Sequence, residues 1–310
     1  MLAVLSATAT AAPLDEGVLV ATQTMFGTSG KPDYLYVYRV RPTGIEQLSA
    51  LQGYHLALGF SDPRTLWALG GLGSQSTVEK IVDGKVVDTI TFKSADWKAD
   101  DLDHVDPTLH VTVKGEVWLA YCRRHKEIGG YSACTRRGFL RVDVKPFVVA
   151  SKHAFKERAP LAFPEAKPPA GYKVKLDLVD VRYDNPPTSE VMDGAVCTGP
   201  GKASVTWPDK RVDPAYHEVP RKVTWLQTVP PLARIDLKGM DPVGEKFFGE
   251  VFMLDCKELI AAAQNFGGGM WGVLRTDATP ATSDGTWTVY SDGKVIGTLP
   301  GAADIQVAPR

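Results

Sequence analysis

Two segments of the chain read as the same structural object. Thr77 to Ile90, TVEKIVDGKVVDTI, and Thr286 to Leu299, TWTVYSDGKVIGTL, each set Asp-Gly between two runs of strand-forming residues. Asp-Gly at the centre of a two-residue hairpin suits a type I′ turn, because both positions need positive φ. After each turn the pattern continues as Lys, Val, an aliphatic residue, any residue, Thr and an aliphatic residue. A tryptophan-bearing strand precedes each hairpin: TLWALGG around Trp67 and GMWGVLR around Trp271. EVWLAYC around Trp118 and VTWLQTV around Trp225 are further strands of this kind. Trp67 to Trp118 and Trp225 to Trp271 both step by roughly 50 residues, the scale of a repeated supersecondary unit.

Strand signals dominate elsewhere too. DYLYVYRV, from Asp33, is followed by a turn at RPTG and a second run, IEQLSAL. In PTLHVTVKGEVWLAYC, Leu109, Val111 and Val113 alternate with His110, Thr112 and Lys114, and Lys114-Gly115 supplies a turn. YKVKLDLVDVRY alternates with Val174, Leu176, Leu178 and Val181 as its apolar set, one step out of phase at the end. The strongest helix candidate is CKELIAAAQNF, Cys256 to Phe266, rich in good helix formers and stopped by three glycines.

A Trp strand, a loop, a hairpin and the next Trp strand is the way four-stranded propeller blades follow one another. In this respect the chain resembles secreted bacterial β-propeller proteins at the level of the superfold, without a WD, kelch, YVTN or Asp-box signature. The resemblance implies an all-β propeller of about six four-stranded blades, or seven if they are compact. The alternative is two β-sandwich domains. Ala159 to Ala170, APLAFPEAKPPA, cannot be a central strand because proline removes ladder donors. It is either a loop within one domain spanning 13–310 or a linker between 13–158 and 171–310.

The first residues, MLAVLSATATAAPLDEG, are apolar and small, with Ala9-Thr10-Ala11 as a cleavage-type triplet, although a basic leading region is missing. They predict a signal peptide over 1–12 and a secreted or periplasmic protein. No later run approaches the roughly 18–20 apolar residues of a membrane span. Cys122, Cys134, Cys197 and Cys256 then predict two disulfides. Cys122 and Cys134 flank one long hairpin, which leaves Cys197 with Cys256. A formal net charge of -1 gives no global pull toward nucleic acid, and a monomer is expected.

Two constellations are candidates for chemistry. In ADWKADDLDHVDPTLHVTV, the residues Asp100, Asp101, Asp103, His104, Asp106 and His110 offer ligands for Ca²⁺ or another divalent metal. The spacing fits neither an EF-hand nor an HExxH motif. The plainer reading is a solvated loop whose aspartates form turns. The second constellation is the cluster Arg123, Arg124, His125, Lys126, Arg136 and Arg137 around the Cys122–Cys134 bridge. Arginines recognise carboxylates and phosphates through paired hydrogen bonds, so the cluster is a candidate surface for an acidic partner or ligand; the plainer reading is a solvated hairpin tip. No Gly-x-Ser-x-Gly elbow or phosphate loop is present, and the strand tryptophans read as core. The expected function is a binding or interaction module. The alternative is a metal-assisted hydrolase or lyase using Asp100, Asp101, Asp103, His104 and His110.

Overall fold

The computed structural model describes residues 16–24, 33–53, 55–71, 76–100, 105–128, 131–150, 156–184, 187–208, 217–240, 246–275, 285–301 and 305–310. The expected signal peptide over 1–12 lies outside them.

The protein is built from antiparallel sheets. The first contains β1 (Val18–Thr24), β2 (Tyr34–Arg41) and β3 (Gly44–Gln52). The second is the meander β4 (His55–Phe60), β5 (Thr65–Gly70), β6 (Thr77–Val82) and β7 (Lys85–Thr91). A one-turn helix, α1 (Ser94–Trp97), leads to the third: β8 (Thr108–Val111), β9 (Val117–Ile128), β10 (Tyr131–Arg141) and β11 (Val148–Ala150). Next come the three strands β12 (Lys173–Asp184), β13 (Pro187–Thr198) and β14 (Ser204–Trp207). A seven-stranded meander follows, with β15 (His217–Thr228), β16 (Pro231–Met240) and β17 (Lys246–Leu254) first. It continues through β18 (Glu258–Gly267), β19 (Met270–Arg275), β20 (Thr286–Ser291) and β21 (Lys294–Pro300). Finally β22 (Ile305–Val307) returns to the start and pairs with β1, Thr22 opposite Ile305 and Val20 opposite Val307.

Burial explains why these segments are strands. All seven residues of β1 and all six of β5 are buried, as expected for strands covered on both faces. Outer strands β7 and β21 are largely exposed. Trp67, Trp118 and Trp271 sit on the second strand of three different four-strand runs, whereas Trp225, the fourth tryptophan of the echo, lies on β15, the first strand of its sheet. Both Asp-Gly pairs form the expected turns. Asp83 and Gly84 have φ of 48° and 79°, and Asp292 and Gly293 have 47° and 78°. Close approach needs glycine at Gly59, where a Cβ would lie 2.6 Å from Val111 Cγ2. This lets β4 lie against β8.

Asp83 also carries an ion pair. Its carboxylate accepts from Arg64 Nε at 2.9 and 3.1 Å and from Arg64 Nη2. The Arg64 hydrogen bond holds the Asp83 carboxyl below the usual range, against a smaller opposing effect of burial. A depressed carboxyl pKa contributes stability that is present above the unfolded value and lost as pH falls through the folded one. Asp83→Asn keeps a residue tolerant of the left-handed turn but removes the charge. Its melting temperature is expected to lie slightly below the parent's at neutral pH and to meet it in acid. The effect is small because Arg64 is exposed. Thermal scans across pH check this, and a deficit that persists in acid would count against it.

Three sequence expectations are corrected. Cys256 to Phe266 is not a helix: Glu258–Gly267 is strand β18, paired with β17 on one side and β19 on the other. Asp255 and Cys256, with φ of 53° and 49°, make a tight turn that feeds it. The helix preference of Ala261, Ala262 and Ala263 amounts to tenths of a kcal/mol per residue, and two flanking ladders outweigh it. In β12, Leu176 and Leu178 are exposed while Val179 and Val181 are buried. Both faces of this strand carry apolar residues, so alternation alone cannot choose the covered face. Finally, β8 ends at Val111 and leaves Val113 exposed. The buried Thr112 hydroxyl accepts from the backbone N–H groups of Lys114 and Glu116 instead.

Both expected disulfides are present, Cys122–Cys134 and Cys197–Cys256, with Cα separations of 5.7 and 5.1 Å. Among the described residues, no helix is long and apolar enough to cross a membrane.

Candidate functional site

Strands β9 and β10 form one long hairpin, and the Cys122–Cys134 bridge ties its two sides together. Its register sets Arg124 directly opposite Arg136, with irregularities at Cys134/Arg136 and Arg136/Arg137. Like charges in such cross-strand pairs repel. Asp100 supplies the compensation, its Oδ2 accepting from Arg124 Nε at 2.7 Å. Arg124, and more weakly Arg123 and Arg136, hold the Asp100 carboxyl below its usual range.

The backbone brings the acidic and basic candidates together. Asp100 N–H donates to Arg123 O, and Cys122 N–H donates to Val105 O. Arg123 Nε also donates to Lys98 O at 3.0 Å. Both ends of the acidic loop are thereby pinned to the hairpin beside the disulfide. Asp101, Asp103 and His104 lie outside the described residues. Asp106, at φ 42°, lines a small cavity of about 80 Å³ with Tyr121, the disulfide and Arg137. Among the described residues, no three His, Cys, Asp or Glu side chains gather as metal ligands. Lys126, Arg136 and Arg137 have no carboxylate within ion-pair distance there, and all three are exposed.

His110 faces a different place. Its Nδ1 lies 2.9 Å from Glu157 Oε1, and its Nε2 lies 2.9 Å from Thr108 Oγ1. His110 and Glu157 border a cavity of about 430 Å³. Strands β4, β8, β18 and β22 contribute to its wall, together with residues 157–161 and the segment after β22. The wall is apolar at Leu58, Leu109, Leu161 and Ile305. Arg158 reaches across it: Nη1 donates to Phe60 O at 2.6 Å and Nη2 to Ser61 O at 3.2 Å. Burial pushes its pKa down. Sequence reading missed this cavity because Arg158 and Leu161 sit in or beside an irregular, proline-rich stretch with no periodicity. That stretch is tied to the sheets: Asn265 Nδ2 donates to Ala162 O, and Ala166 N–H to Trp225 O.

No protein-family model matches the chain, and no curated protein sequence matches it. Among solved structures it is similar to TolB from Acinetobacter baumannii, with 8% identity and a TM-score of 0.38 over 96% of this chain and 68% of that one. It is also similar to a proposed 6-phosphogluconolactonase from Bacteroides uniformis, with 10% identity and a TM-score of 0.33 over 95% of this chain and 100% of that one. Likenesses at these scores assign neither a family nor an activity.

Proposed function

We propose that the protein is a secreted or periplasmic binding module on a single β-propeller scaffold of about six blades, with the disulfide-tied hairpin as the docking surface for an acidic partner. The scaffold reading is supported by four four-strand units: β22 with β1–β3, then β4–β7, β8–β11 and β18–β21. Runs β12–β14 and β15–β17 would supply two shorter units. Pairing of β22 with β1 draws the last strand back to the first, as a ring of blades requires. The compartment reading rests on two disulfides, which persist in oxidising surroundings.

One observation carries the docking reading. Arg124 and Arg136 face each other across the hairpin and Asp100 pairs with Arg124, while Lys126, Arg136 and Arg137 are exposed and, among the described residues, have no carboxylate within ion-pair distance. A partner's carboxylates would relieve this repulsion, and the disulfide limits the ordering cost of binding. The test is titration with a short polyglutamate peptide at low salt. The variant Lys126→Gln/Arg136→Gln/Arg137→Gln is expected to bind at least about tenfold more weakly, with an unchanged melting temperature and a shallower salt dependence. Equal affinity in parent and variant would remove the docking surface from this hairpin.

A further inference from the structure

We infer that the 430 Å³ cavity is a second, independent site, for a small organic anion with an apolar body and a carboxylate- or sulfonate-like head. Its volume lies within the range of small-molecule pockets, roughly 300–1,000 Å³. The apolar wall suits the body of such a ligand.

The head is chosen by charge. Arg158 and Arg310 both line the cavity, and among the described residues neither has a carboxylate within ion-pair distance. Glu157, a carboxylate on the wall, lies against His110. Arg158 spends donors on the Phe60 and Ser61 carbonyls, which fix its guanidinium in place and leave the rest of its five N–H groups for another acceptor. Arg310 lies against the end of β18. A Cβ at Gly267 would lie 2.8 Å from Arg310 Nε and 3.1 Å from Leu161 Cδ2, so the guanidinium lies over that glycine. Gly267 has a φ of 77°, which already favours glycine there. Gln306, on β22 and also in the lining, has a side-chain amide with no partner among the described residues. Two arginines, Arg158 half-buried and Arg310 exposed, and a free amide beside an apolar wall favour an anion over a neutral molecule of the same shape. Burial lowers the Arg158 pKa, against a smaller opposing attraction to Asp62.

The test compares two fluorescent probes with the same aromatic body, anilinonaphthalenesulfonate and the uncharged phenylnaphthylamine. The intact protein is expected to bind the sulfonate at one site, at least about tenfold more tightly than the neutral probe. Arg310→Gln should abolish that preference while leaving binding of the neutral probe unchanged. Gln306→Glu, which places a carboxylate on the wall, should weaken the sulfonate about tenfold or more. Arg158 is left intact because it holds the Phe60 and Ser61 carbonyls. Equal affinity for the two probes, or an unaltered sulfonate affinity in Arg310→Gln, would overturn the site. So would loss of the signal in Leu178→Lys, since the probe would then occupy the exposed face of β12. The hairpin variant carries none of these residues and should bind both probes as the parent does, so failure at one site is distinguishable from failure at the other.

Discussion

Trp97→Ala is expected to destabilise the protein by about 3–5 kcal/mol in chemical denaturation, the range for removing a large buried aromatic. Trp97 is fully buried. Its ring centroid lies 4.9 Å from that of Phe92 and 5.1 Å from that of Tyr121, the latter edge-on. It joins the cluster that packs β5–β7 against β9 and β10, with Leu69, Val78, Leu119 and Leu140. Helix α1 is one turn long and has little stability of its own, so the indole anchors it. Among the described residues the indole Nε1 has no hydrogen-bond partner, in keeping with anchoring by packing. Trp97→Phe should therefore cost less than half as much, since it keeps ring contacts and removes a buried donor. Equal losses for the two variants would contradict this account.

Removing the Cys197–Cys256 bridge should have an effect of similar size. It closes 59 residues of sequence, against 12 for Cys122–Cys134. Loop-closure entropy gives about 4 kcal/mol for the longer loop and about 3 kcal/mol for the shorter. Context adds to the difference. Cys197 and Cys256 are both buried, in the core that joins β13 to β16, β17 and β18. Cys134 is exposed on the hairpin. Cys197→Ala/Cys256→Ala is expected to lower the melting temperature more than Cys122→Ala/Cys134→Ala. The second pair should instead weaken polyglutamate binding by loosening the hairpin. A reversed order of melting temperatures would show that the longer bridge is not the main staple.

The legible parts of the fold share a local cause. Asp83-Gly84 and Asp292-Gly293 could be placed because positive φ at two successive positions admits few residue types. The disulfides followed from there being four cysteines, two of them flanking one hairpin. The burial of Trp67, Trp225 and Trp271 followed from their apolar neighbours, whereas Trp118, read as core in the same way, is half-buried. Where the cause is not local, the sequence misled. The alanines of β18 suit a helix until β17 and β19 pair with the strand on either side. Leu178 and Val179 are equally apolar, and only the neighbouring sheets decide that the second is covered.

The candidate sites divide along the same line. From the sequence alone came an all-β chain, its hairpin turns, its cysteine pairs and the basic cluster from Arg123 to Arg137. These depend on backbone propensity, alternation and residues close in the chain. Tertiary structure alone decided that Asp100 would pair with Arg124, and that His110 would lie against Glu157. It also placed Arg158 and Arg310 on one cavity wall. Those residues are far apart in sequence and lie in segments without periodicity, so only the pairing and packing of distant strands, β22 against β1 and β4 against β8, could bring them together.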